Sequence, residues 1–276
     1  MAEILNIKTP EDLGDEVVIT RLLEAGVCRI TLNNPPANTL SEAVLDGLSK
    51  ALDKAEQNKE IRVIIISANG HLFCAGHDLK EVTAHREDAD GGRAYFSALM
   101  AQCSSVMQKI VMHPKPVIAQ VNGLATAAGC QLVASCDLAI ASEDAAFCTP
   151  GVHIGLFCST PMVALSRTVH RKHAMEMLLT GEAITPSHAR EIGLINRVVP
   201  VDYLDRVTQQ YAANIASKSG HTLKVGKRAF YEQLEHGLAD AYAHTAEVMV
   251  ENLLAADAKE GIGAFLEDRT PQWQDE

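Results

Sequence analysis

Two short segments place glycine and alanine among polar residues directly after strongly apolar runs: Cys74-Ala75-Gly76-His77-Asp78-Leu79-Lys80, and the stretch from Asn122-Gly123 through Ala127-Ala128-Gly129-Cys130-Gln131-Leu132. Small residues let a ligand approach the main chain, and an amide at the start of a helix is a preorganised donor for developing negative charge. Two such amides aimed at one point would hold an oxyanion. The same residues equally suit two segments packed back to back, and composition alone favours packing. The titratable candidates nearby are His77 and His153, with Cys148, Cys158 and Ser159 beside the latter. An imidazole titrates near neutrality and could serve as a base, although a histidine in an apolar loop is more often hydrogen-bonded structure. Cysteines without a basic partner read as core thiols.

Signatures of other chemistries are missing. No GxSxG elbow occurs, Gly261 and Gly263 lack the third glycine of a dinucleotide fingerprint, and Gly220 to Lys227 is one residue too long for a phosphate-binding loop. His170 and His173 have no cysteine or carboxylate at ligand spacing, so no metal site is expected.

The elements that must position these segments alternate. Strands are expected at Val27 to Leu32, Arg62 to Ala68 and Val117 to Val121. Ser41 is placed to cap a helix with apolar residues Val44, Leu45, Leu48, Leu52 and Ala55, ending at Asn58. Asn69-Gly70 signals a turn, and His71 to Lys80 has no clean period, which predicts a loop. A helix from Gly92 to Met112 and a small-residue helix from Ala127 to Cys136 complete the alternation. The remainder reads as helices: Pro161 to Thr168, Lys172 to Leu179, Pro186 to Ile192, Tyr203 to Ala216, Thr222 to Gln233 and Leu238 to Leu254. The last is apolar on more than one face, which predicts packing against another subunit.

The 276 residues, 47% hydrophobic and 21% charged, are long and apolar enough for a large core without disulfide or metal support. A net charge of −11 disfavours nucleic acid as a partner. Seven cysteines, an odd number spread through apolar runs, read as reduced thiols. Polar residues interrupt the uncharged run from Pro116 to Cys136, so no membrane association is expected, and the acidic opening MAEILNIKTPEDLGDEVV shows no targeting pattern. A cytoplasmic location is the resulting expectation.

The segments CAGHDLKE, NGLATAAGCQLVASCDLAIAS, FCTPGVHIGLF and LLTGEAITPSHAREIGLINRVVP occur in that order, and with the ending EGIGAFLEDRTPQW they resemble the enoyl-CoA hydratase/isomerase superfamily, the crotonases. The resemblance covers roughly residues 15 to 273. It implies an α/β fold, a crotonase-like spiral of ββα units spanning residues 1–200 with the acyl-CoA site. A C-terminal all-helical trimerisation region, residues 201–276, would follow. It implies a homotrimer or a hexamer made as a dimer of trimers, a CoA thioester as substrate, and no tightly bound cofactor. Carried over by position, the oxyanion amides fall on His77 and Ala128. Asp78, Leu79 and Lys80 would lie along the CoA pantetheine and adenine, and Phe265 and Arg269 would close over the nucleotide end, with Arg269 available to phosphate.

Hydratases of this superfamily use two glutamates, and here those positions hold Gln131 and Gly151. Ser159 stands where related isomerases place an aspartate. A positioned acid or base is worth about 10²–10⁴-fold each, so ordinary hydration is expected to be slow. Gly151 also resembles the pattern of members that perform Claisen-type ring closure, where bicarbonate replaces the carboxylate. The leading expectation is an enzyme that stabilises a thioester enolate through His77 and Ala128, with Gln131 and Gly151 lining the substrate site and His153 as a candidate for direct chemistry. The alternatives are a non-catalytic acyl-CoA sensor or scaffold, or another CoA-thioester reaction such as decarboxylation or isomerisation.

Overall fold

Three times in succession the chain lays an apolar strand into one sheet, turns a tight corner and adds a three-residue strand to a second sheet, as seen in a computed structural model that describes residues 16–276. The elements, in chain order, are β1 (Val18–Leu22), β2 (Val27–Leu32), α1 (Glu42–Gln57), β3 (Val63–Ala68), β4 (Leu72–Cys74), α2 (Leu79–Ala84) and α3 (Arg93–Val111). Then come β5 (Val117–Val121), β6 (Leu124–Thr126), α4 (Ala128–Ser135), β7 (Leu138–Ser142), β8 (Ala146–Cys148), α5 (Pro161–Thr168), α6 (Arg171–Thr180), α7 (Pro186–Glu191) and β9 (Arg197–Val199). The chain closes with α8 (Leu204–Ala216), α9 (Gly220–Gln233), α10 (Leu238–Leu254) and α11 (Ala256–Leu266). The main sheet has the order β1-β2-β3-β5-β7-β9, antiparallel only at β1-β2, and the second sheet runs β4-β6-β8, all parallel. This is the α/β spiral of ββα units that the motifs implied. The opening segment read for targeting lies, up to residue 15, outside the described residues.

β3 is apolar without alternation because both its faces are covered. Ile64 and Ile66 join the large core under α1 and α3, while Val63 and Ile65 pack with Val27, Ile118 and the Ala212 and Ala216 face of α8. Ser41 caps α1 as expected, its hydroxyl accepting from Val44 N at 3.3 Å, and Val44, Leu45, Leu48 and Leu52 are fully buried beneath it. All seven cysteines are buried and unbridged.

The expected loop from His71 to Lys80 is in part β4, and β6, β7, β8 and β9 were likewise not anticipated. Strands of three residues, such as β4, β6 and β8, show no measurable period and exist here because each pairs with a neighbour far along the chain. The uncharged run from Pro116 to Cys136 folds as β5, β6 and α4; among the described residues no helix is long and apolar enough to cross a membrane. α9 is fastened to the core by Lys227, whose Nζ donates to Asp137 at 2.7 Å, Ile110 O at 3.0 Å and Lys115 O at 3.2 Å. α10 and α11 leave Leu238, Tyr242, Met249, Leu253 and Phe265 exposed.

Candidate active site

The two small-residue segments follow adjacent strands of the second sheet, β4 and β6, which brings their turns side by side. Gly76, at φ +85°, has no room for a side chain: a Cβ there would stand 3.0 Å from Ala127 Cβ and 3.2 Å from Ala128 N. Gly129 in turn lies so close to the Cys74 carbonyl that a Cβ would overlap it. These contacts seat the His77 and Ala128 turns against each other. Packing and amide presentation are therefore two consequences of one arrangement.

Ala127 carries the turn into α4 at φ 52° and ψ −119°, a region that strains any residue with a Cβ by about 1–3 kcal/mol. It is held there by its own N–H donating to Cys148 O at 3.0 Å. The strained turn leaves Ala128 as the first residue of α4, where an N–H has no intrahelical acceptor. Neither the Ala128 nor the His77 N–H donates to a protein acceptor among the described residues. On the other side, Leu40 N donates to Gly76 O at 2.7 Å and Ala75 N to Ala37 O at 3.0 Å, so the first turn is braced by the 33–40 loop. Asn38, 1% exposed, ties that loop down by donating to both Asn69 O and Leu72 O at 2.8 Å. The sequence reading passed over Asn38; its signal was the Asn-Pro-Pro-Ala-Asn turn chemistry.

The remaining candidates separate. Asp78 caps α2, its carboxylate accepting from Lys80 N at 2.8 Å and from the Thr39 hydroxyl at 3.2 Å. Leu79 and Lys80 are exposed, and among the described residues Lys80 makes no ion pair. The His77 ring is half-buried, neither nitrogen has a close hydrogen-bond partner, and burial lowers its pKa. Gln131, one helical turn beyond Ala128, is buried with its Oε1 unpartnered. It borders a cavity of about 480 Å³ between α3, α4 and α5, walled by Met107, Met112 and Val163, with the Arg167–Glu235 pair (3.3 Å) at its exposed side. Thr149 is fully buried, and its hydroxyl also lacks a partner.

Gly151 sits in the turn Pro150–Ile154, and a Cβ on it would meet Leu156 O at 2.8 Å and Cys158 Sγ at 3.0 Å. A side chain at this position requires the 156–158 segment to move. Burial pushes the Cys148 and Cys158 thiols up, away from the reactive thiolate. His153 is exposed and its ring has a protein partner: Nε2 is 2.9 Å from Thr180 O, and the ring packs against Gly181 at the end of α6. Arg269 is also not a free cation. It donates to Glu260 at 2.6 and 3.0 Å and to Glu267 at 2.6 Å. Thr180 lies 27 residues from His153 and Glu260 nine from Arg269, separations that local spacing does not show.

The chain matches the family described as enoyl-CoA hydratase/isomerase over residues 23–276. The chain belongs to the enoyl-CoA hydratase/isomerase family. Within this family it is similar to enoyl-CoA hydratase domain-containing protein 3, mitochondrial, of Rattus norvegicus, with 48% identity over 249 residues, 90% of this chain and 81% of the relative. A crystal structure of human enoyl coenzyme A hydratase domain-containing protein 3 superposes with a TM-score of 0.88 at 49% identity, covering 93% of this chain and 100% of that one. A probable enoyl-CoA hydratase of Bacillus subtilis is 34% identical, covering 94% of this chain and 99% of its own length. These family members support the crotonase fold and a CoA-thioester enzyme. They also overturn the cytoplasmic expectation, because the rat, mouse and human relatives are named as mitochondrial proteins.

Proposed function

We propose that this crotonase binds an acyl-CoA and stabilises the enolate of its thioester through the main-chain N–H groups of His77 and Ala128, in a site not equipped for glutamate-driven hydration. The observation that carries the reading is the juxtaposition of two undonated amides across Gly76 and Ala127. Such donors need no side-chain functional group, so histidine and alanine serve as well as any residue there. Gln131 would orient a water or a substrate oxygen but cannot take a proton at neutral pH. The free ammonium of Lys80 is the cation suited to a CoA phosphate, a role Arg269 cannot take without giving up its two carboxylates. His77, Asp78 and Leu79 would run along the pantetheine, with Gly151 beside the acyl group and Phe265 closing the nucleotide end. We assign no chemistry to His153.

The missing glutamates favour one second reading, an acyl-CoA sensor that binds without turnover. A panel of acyl-CoA esters assayed for both binding and product separates the two. Hydration of crotonyl-CoA is expected to run at least about 10²-fold below that of a family member holding both glutamates. A rate equal to such an enzyme's would overturn the proposal. In the same reading residues 1–200 form the thioester-binding core and residues 201–276 the oligomerisation region of a homotrimer or a dimer of trimers. Light scattering on the purified chain, alongside a Tyr242→Glu/Leu253→Glu variant of the exposed α10 face, tests that part.

A further inference from the structure

We propose that the outer face of the main sheet carries a second binding site, independent of the thioester site, for a small oxyanion of the phosphate class held by Arg21 and Arg29. The antiparallel register of β1 and β2 sets these two arginines directly opposite each other. Like charges in that position repel, and register alone gives no reason to keep them. Among the described residues one carboxylate reaches the pair: Asp205, from α8, accepts from Arg29 Nη2. Arg21 makes no ion pair among the described residues, and Arg29 Nε is buried without an acceptor. The local balance is therefore positive in a chain whose net charge is −11.

Arg21 and Arg29 line a cavity of about 210 Å³ together with Thr31, Ser67, Asn69 and Gln120, with Ile19, Leu23 and Ala68 as its apolar part. The Thr31 and Ser67 hydroxyls are 3.0 Å apart, and Gln120 Oε1 accepts from Arg29 Nη2 at 3.4 Å. Hydroxyls, an amide and two planar five-donor forks suit an acceptor with several oxygens. Residues on β2 alternate between faces: Cys28, Ile30 and Leu32 enter the core that holds Cys74 and Ala128, so Arg29 and Thr31 face the other way. The cavity and the His77–Ala128 turns are thus on opposite sides of the sheet.

Thermal melts of the full chain in rising inorganic phosphate, and separately in glycerol 3-phosphate, test the site when ionic strength is held constant with sodium chloride. Either ligand is expected to raise Tm beyond the chloride control. A response to both indicates the free anion, and a response to the ester alone indicates a phosphate carried on a larger molecule. Arg21→Gln, which breaks no ion pair, and Arg29→Lys, which keeps the charge beside Asp205 but loses the fork, should each weaken the apparent affinity at least about tenfold, the loss expected for a charge-assisted hydrogen bond. Lys80→Gln should leave the response intact. The proposal is overturned by no shift above chloride in the parent chain, by an equal shift in both arginine variants, or by a shift lost only in Lys80→Gln.

Discussion

At the scale of single residues, the absence of a side chain does as much as its presence. Gly76 holds a left-handed φ and touches Ala127 and Ala128 at once, so Gly76→Ala strains the turn and pushes the two amides apart. The expected outcome is a loss of about 1 kcal/mol or more in urea unfolding and a larger proportional loss of acyl-CoA affinity by calorimetry. On the proposed reading Gln131 and Gly151 take the two glutamate positions, in unlike surroundings. Gln131→Glu fits the space already occupied and should raise crotonyl-CoA hydration, by up to about 10²-fold. Gly151→Glu drives a Cβ into Leu156 O and Cys158 Sγ, so it should lower Tm and give no gain in hydration. The small-residue segments were visible in the sequence, and it was the resemblance to the family that pointed to the amides of His77 and Ala128. The packing around Gly151 was not, because its neighbours are brought in by a turn of the chain and not by any period.

At the scale of elements, the short strands β4, β6 and β8 decide where the chemistry stands, and none can be recognised in isolation. The longer helices were legible because each repeats its own period: the expected spans for α5 and α10 match the observed ones, and α1 and α3 differ by a residue or so at their ends, while β5 matches as an apolar run bounded by turn residues. α9 depends on a tertiary fastening that no pattern in its own sequence announces. Lys227 is 8% exposed at its side chain, and Asp137 also accepts from Tyr231 OH at 2.9 Å and Val117 N at 2.7 Å. Lys227→Met leaves the Asp137 carboxylate without its cation in a largely buried site, which should cost about 3–5 kcal/mol in equilibrium unfolding. Because α9 leads into α10, the same variant is expected to loosen any assembly built on α10.

For the whole molecule, one buried and one half-buried imidazole give a pH dependence of definite sign. Burial lowers the pKa of His77 and of His113, whose Nε2 lies 3.2 Å from Leu52 O. Above the usual imidazole value of 6.5, folded and unfolded chains both hold these rings neutral, and the rings contribute no slope. Below 6.5 the unfolded chain takes up protons that the folded chain resists, so stability falls with pH, by up to about 1.4 kcal/mol per pH unit for each ring. Urea unfolding at pH 7.5, 6.5 and 5.5 should show this loss, and His113→Gln should flatten it; an unchanged slope in that variant would place the titration elsewhere.

The sequence by itself determined the family, the α/β spiral its motifs implied, and the two small-residue turns that bear His77 and Ala128, since motifs and turn residues are local and travel with the chain. Only the tertiary structure decided that Gly76 and Gly129 press those turns together, that Gly151 is packed shut, and that His153 and Arg269 are committed to Thr180 and to Glu260 and Glu267. The physical reason is common to all of them. A side chain's chemistry depends on which partner satisfies it, and in this protein those partners arrive through strand pairing, helix packing and turns of the chain, none of which a local period records.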